Sequence, residues 1–158
     1  MDEYFMKLAL KEAKKAEKKE EVPIGCVIVK DGEVISRGYN KTRTLGDPTA
    51  HAEMVAIRSA AKKLGGYKLE DCQMYVTLEP CSMCAGAIVH ARIKKLFIGA
   101  MDKKAGACGS LSNIVQDSRL NHFVEIESGL LEEECSKILK DFFAQLRNKK
   151  SEIKSEES

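Results

Sequence analysis

The stretch VPIGCVIVKDGEVISRGYN, Val22 to Asn40, reads as two β-rich runs on either side of Asp31-Gly32. Asp-Gly between apolar runs is the strongest short-range hairpin signal, because both residues tolerate the positive φ of a two-residue turn. An antiparallel pair therefore opens the β-structure of the chain. The rhythm then changes. QMYVTL (73–78), KKLFIGA (94–100) and FVEIES (123–128) read as strands, with helical segments between them. The polar loop 40–49 ends in GDPT, where Asp47 or Thr49 can cap a helix running to about Leu64. Pro80 stops the strand before a short helix, Ser82 to His90, and another short helix is expected near 111–117.

Ahead of the hairpin, residues 3–20 form an amphipathic helix, with Met6, Ala9, Leu10, Ala13 and Ala16 on one face and lysines on the other. A final helix is expected from about Glu132 to Lys149, with Cys135, Ile138, Leu139, Phe142 and Leu146 on one stripe. The order is α-β-β-α-β-α-β-α-β-α. A hairpin followed by strand–helix alternation predicts an α/β protein. Its mixed, largely parallel five-stranded sheet would lie between helices on both faces. Ligands in such sheets collect at the carboxyl ends of strands, which lead into helix N-termini.

At 158 residues the chain is expected to form one domain, over residues 1–150, with SEIKSEES (151–158) as a disordered tail. No apolar run is long enough to span a membrane, so no membrane partner is expected. The N-terminal segment places acids before its short apolar stretch and lysines after it, the reverse of a signal peptide, which points to a cytoplasmic protein. Net charge is only +2. That permits an RNA partner without arguing for one. Local clusters would have to hold it, and Lys103, Lys104, Arg147, Lys149 and Lys150 are the candidates. The six cysteines are expected as reduced thiols, because a chain of this size needs no disulfide staples.

Two motifs carry chemistry. TAHAEMVAI (49–57) holds His51 and, two residues on, Glu53; TLEPCSMCAGA (77–87) holds Cys81 and Cys84 at the start of a helix. Zinc favours thiolate and imidazole, and a helix N-terminus stabilises thiolate. His51, Cys81 and Cys84 make three ligands. Cys26, Cys72, Cys108 and Cys135 read as small core residues, and His90 lies too far round its helix to supply a fourth. Structural zinc closes its shell with four protein ligands, whereas catalytic zinc keeps one position open. A carboxylate beside an open position, here Glu53, can take a proton from water and deliver it to a leaving amine. Taken singly, C-x-x-C also fits a redox pair, and the set also fits a structural zinc. The combination favours metal-assisted hydrolysis.

HAE with PCSMC resembles the signature of zinc-dependent cytidine and deoxycytidylate deaminases. EVPIGCVIV, GYN, DPTAHAEMVAIR, YVTLEPCSMCAGAIVHARI and GAMDKKAGACGS further resemble the bacterial tRNA-specific adenosine deaminases, from about Met6 to Phe143. The resemblance implies a three-layer α/β/α cytidine-deaminase-like fold and a homodimer with one Zn2+ per subunit. It implies adenosine-to-inosine conversion at the wobble position of a tRNA anticodon stem–loop, typically that of the arginine tRNA with anticodon ACG. It implies no dinucleotide cofactor. By the same resemblance His51, Cys81 and Cys84 bind zinc and Glu53 shuttles protons. Asn40 would contact the flipped base, and Asp102 and Lys104 the flanking nucleotides. The alternative is a zinc deaminase of a free base or nucleoside such as guanine or cytidine.

Overall fold

The computed structural model describes residues 1–157; Ser158, the last residue of the expected tail, lies outside them. Helix α1 covers Asp2–Lys18. Strands β1 (Gly25–Lys30) and β2 (Glu33–Tyr39) then pair antiparallel. Asp31 and Gly32 between them take φ of 51° and 77°, so the hairpin turns as its Asp-Gly predicts. A short helix α2 (Thr42–Leu45) and helix α3 (Ala52–Leu64) lead to β3 (Cys72–Leu78). Helix α4 (Ser82–His90), strand β4 (Lys95–Ala100), strand β5 (Glu125–Ser128) and helix α5 (Glu132–Glu157) follow.

The sheet order is β2-β1-β3-β4-β5. It is mixed and largely parallel in direction, as expected. β1 is antiparallel to both of its neighbours, and the other four strands all run in one direction. The hairpin reverses the chain once, and α3 then returns it to the opposite edge of β1. Period-two alternation sorts the side chains. Val27, Val29, Tyr75 and Phe97 pack with α1 and the start of α5, whereas Cys26, Ile28, Met74, Val76, Leu96 and Ile98 pack with α3 and α4. The result is three layers. Tyr75 and Phe97 stack with ring centroids 4.3 Å apart, and the Tyr75 hydroxyl donates to Asp2 at 2.6 Å. Each side chain buried in this way contributes about 1.5–3 kcal/mol.

Gly38 on β2 fixes where α3 begins. A Cβ there would lie 2.4 Å from the Ala52 carbonyl oxygen and 2.8 Å from the Ala56 nitrogen, so glycine lets the first turn of α3 sit directly on the strand.

Four local expectations are corrected. Neither Asp47 nor Thr49 caps α3. Asp47 accepts instead from the Thr49 backbone and hydroxyl, at 2.8 and 2.7 Å, and His51 takes the N-cap position. The helix near 111–117 is a single 3-10 turn, Ile114–Gln116, because a bridge between Cys108 and Asn113 holds the preceding residues extended. The short helix α2 was not anticipated in the polar loop. Residues 151–157, expected as a disordered tail, continue α5, since no glycine or proline follows Lys149 to end the helix. Among the described residues, no helix is long and apolar enough to cross a membrane.

Candidate metal centre

Two helix N-termini meet on one face of the sheet. His51 is the N-cap of α3 and Cys81 the N-cap of α4, both with extended backbone (ψ 156° and 177°). An N-cap side chain ordinarily accepts from a backbone N–H of its own first turn. His51 does not do so. The side chains of His51 and Cys81 turn to each other. Cys84, in the first turn of α4, joins them.

The His51 Nδ1 lies 3.6 Å from the Cys81 Sγ and 3.6 Å from the Cys84 Sγ. A tetrahedral centre with ordinary zinc–sulfur and zinc–nitrogen bonds separates its S and N donors by about 3.5 Å. The three ligand atoms all lie within 4.8 Å of one another, and no other histidine, cysteine or carboxylate joins the cluster among the described residues. The donor set and its spacing fit zinc with one position left for a non-protein ligand. Cys26, Cys72, Cys108 and Cys135 are buried in the core as free thiols. His90 ends α4, exposed. His122 hydrogen-bonds the Ile93 carbonyl at 2.6 Å.

The electrostatics favour a metal-binding thiolate. Hydrogen bonding from the Cys84 thiol is the main cause that lowers Cys81 to about 5, with help from the α4 backbone and His51. The Cys84 thiol is correspondingly pushed up, as the donor of that bond and as a buried group. Glu53 sits in the first turn of α3, 4% exposed. Burial raises its carboxyl to about 7; negative charge on Cys81 adds to this, while its own backbone N–H, His51 and the Cys84 thiol pull it down. Glu53 is thus a buried carboxyl beside the three ligands and outside the ligand set.

A cavity of about 280 Å³ opens at this point, lined by Val22, Ile24, Asn40, Thr42, His51 and Ala52. A larger cleft, about 640 Å³, runs between α1 and α5 and contains none of the ligand side chains. Asn40 is therefore brought to the same cavity as His51. Its Oδ1 accepts from the Thr42 N–H at 3.3 Å, so it also serves as a turn former. Asp102 closes its own loop, its Oδ1 accepting from the Lys104 and Ala105 N–H groups at 3.0 and 3.2 Å. Lys104 is exposed on that loop.

Two carboxylates went unread in the sequence. Glu21 is fully buried and accepts from the backbone of Arg43 at 3.1 Å and Thr44 at 2.7 Å. Glu79, 3% exposed, accepts from the backbone of Asp102, Cys108 and Ser110 and from the Ser110 hydroxyl. A glutamate at the end of a buried strand, next to Pro80-Cys81, was the available signal, since unpaired acids are almost never fully buried.

Comparison with known proteins agrees with this geometry. Residues 1–100 match the family model described as the cytidine and deoxycytidylate deaminase zinc-binding region. The chain is 54% identical over 149 residues to the tRNA-specific adenosine deaminase of Bacillus subtilis, covering 94% of this chain and 92% of the relative. It is 52% identical over 146 residues to that of Aquifex aeolicus, covering 92% and 96%. A solved tRNA:A34 deaminase, from work on A-to-I editing at the wobble position of transfer RNA, superposes with a TM-score of 0.83 at 49% identity. It covers 86% of this chain and 99% of the other. A guanine deaminase from Nitrosomonas europaea superposes with a TM-score of 0.79 at 21% identity, covering 90% and 84%, and shares the fold.

Proposed function

We propose a reaction for this chain from one premise: it belongs to the cytidine and deoxycytidylate deaminase zinc-binding family. It is a zinc-dependent hydrolytic deaminase that converts adenosine to inosine at the wobble position of a tRNA anticodon. The observation that carries this reading is His51, Cys81 and Cys84 at tetrahedral spacing with the buried Glu53 carboxyl beside them. In the net reaction the C6–N bond of adenine breaks, a C6–O bond forms from water, and ammonia leaves.

His51, Cys81 and Cys84 hold the metal. When bound, zinc supplies Lewis acidity that makes a water nucleophile available at neutral pH. Glu53 takes the proton that water gives up and hands it to the departing amine, which could not leave as an amide ion. Its burial next to the ligands, without membership in their set, supports that role. Asn40 lines the same cavity and, with Oδ1 committed to Thr42, offers its NH2 to the extruded base. Asp102 and Lys104 contact the flanking nucleotides from the loop after β4. A target base in an anticodon loop is already unpaired, so extruding it costs only a few kcal/mol.

The substrate is the arginine tRNA with anticodon ACG, and the enzyme acts in the cytoplasm as a single deaminase domain. It works as a homodimer. Tyr67, Leu120 and Phe123 are large apolar side chains exposed on one protomer, and Tyr67 and Leu120 border the same cavity beside α4, a surface that a second copy would cover. Light scattering on the purified protein measures that state. The reaction is tested by incubating zinc-loaded protein with total tRNA and mapping inosine by sequencing. Inosine at the wobble position of that arginine tRNA is the expected result. Ammonia released from free adenosine, guanine or cytidine as fast as from an anticodon stem–loop would overturn it.

A further inference from the structure

Glu79 follows the end of β3, two residues before the metal-binding Cys81, yet its carboxylate joins the loop after β4 and not the ligand set. That loop closes around it. The Glu79 Oε1 accepts from the Asp102 N–H at 2.9 Å and from the Ser110 hydroxyl; Oε2 accepts from the Cys108 and Ser110 N–H groups, each at 3.0 Å. Four donors thus converge on one buried carboxylate from residues 23 to 31 positions away in sequence. Gly106 lies over the same group. A Cβ there would fall 2.2 Å from the Glu79 Cδ and 2.3–2.4 Å from both oxygens, so any side chain would push the loop off its anchor. The backbone adds a second tie, since the Ala107 N–H donates to the Pro80 carbonyl at 2.9 Å.

We propose that Glu79 is a positioning residue that locks the loop 101–110 to the Cys81 turn, so that the RNA contacts of the loop are held in register with the metal. This rests on the reading that the loop meets the nucleotides flanking the target base. A loop held by one central acceptor moves as a unit. Its placement is then set by the turn that presents the ligand, not by its own exposed residues.

The test uses the zinc-loaded full chain and the variant Glu79→Gln. Glutamine keeps an acceptor for Cys108 and Ser110 but turns an NH2 toward the other pair. The Ser110 hydroxyl can rotate to accept from that NH2; the Asp102 N–H cannot. Amide hydrogen exchange should therefore quicken in the loop, most at Asp102, while the amides of residues 40–50 stay unchanged. Zinc should remain at one per chain. KM for an anticodon stem–loop should rise about 10-fold with kcat little changed, the pattern of lost binding rather than lost chemistry. Zinc loss, a fall in kcat at constant KM, or unchanged loop exchange would each overturn the proposal. Gly106→Ala keeps the carboxylate and displaces the loop, so it should reproduce the exchange and KM effects even if Glu79→Gln does not fold; wild-type values for both would also overturn it. If the wild type forms no inosine in the stem–loop, the functional reading fails separately, and the exchange measurement still decides whether Glu79 holds the loop.

Discussion

The loops 40–50 and 101–110 flank one metal centre, and each is tied by a single buried carboxylate, but the two anchors belong to different parts of the molecule. Glu21 follows α1 and reaches the turn of α2, where it takes the Arg43 and Thr44 N–H groups. Glu79 directly follows β3 and takes four donors next to the Cys81 turn. The first loop therefore reports on the packing of α1. The second reports on the turn from β3 into α4 that presents two of the three ligands. Disturbing the metal should reach the second loop first.

The largest effect expected is removal of a ligand. Cys81→Ala or His51→Ala should abolish zinc binding, measured by elemental analysis, and lower thermal stability, since metal affinity and folding are coupled. Exchange in loop 101–110 should then quicken more than in loop 40–50; equal quickening would erase the distinction between the anchors. Next comes Glu53→Gln, which should keep its zinc and lose at least about 10²-fold in deamination rate. Loss of zinc together with activity would make Glu53 a support of the centre instead of a proton carrier.

Glu21 sharpens the comparison from the other side. Burial pushes its carboxyl up, but hydrogen bonds from Thr44 and Arg43 and the Arg43 charge outweigh burial and hold it below the usual value. A folded-state pKa below the unfolded one gives stability that is present above the unfolded pKa and lost as pH falls through the folded one. Melting temperature measured from pH 7 down to pH 3 should therefore drop on an acid limb. Glu21→Gln should flatten that limb and cost about 1.5–3 kcal/mol near neutrality, the range for hydrogen bonds to a charged group. Its effect on exchange should centre on residues 41–46, with the zinc content unchanged. The smallest effect is at the surface. Lys149 pairs with Glu20 at 3.6 Å, with both side chains exposed, so Lys149→Ala should change stability by under about 1 kcal/mol. If Lys149 and Lys150 also meet RNA, neutralising both should flatten the log–log salt dependence of stem–loop binding by about 0.7 for each phosphate they had neutralised.

The contrast between the anchors and the ligands also marks what the sequence makes legible. His51, Cys81 and Cys84 could be read because zinc restricts the residue types, and because two helix starts fix where the side chains go. The hairpin could be read from Asp31-Gly32, since few residues tolerate that turn. Glu21 could not, and Glu79 offered only its place beside Pro80-Cys81 as a signal. A glutamate among two dozen acids looks like a solvated charge until backbone N–H groups from 22 to 31 residues away arrive to satisfy it. The end of α5 was missed for a related reason. The apolar stripe stops near Leu146, but a helix stops only where something ends it, and Ser151 to Glu157 contain no breaker. His51 as the cap of α3 was missed because a polar capping residue was expected where the chain needs a ligand.

Strand β5 closes the sheet on one side with four residues, Glu125 to Ser128, and its sequence alternates charge with a single half-buried isoleucine, Ile126. An outermost strand is an open template on which a neighbouring chain can stack and seed insoluble fibrils. Brevity and two exposed glutamates deny that template the length and the apolar face it would need, so the shortest strand of the sheet is also a safeguard of colloidal stability.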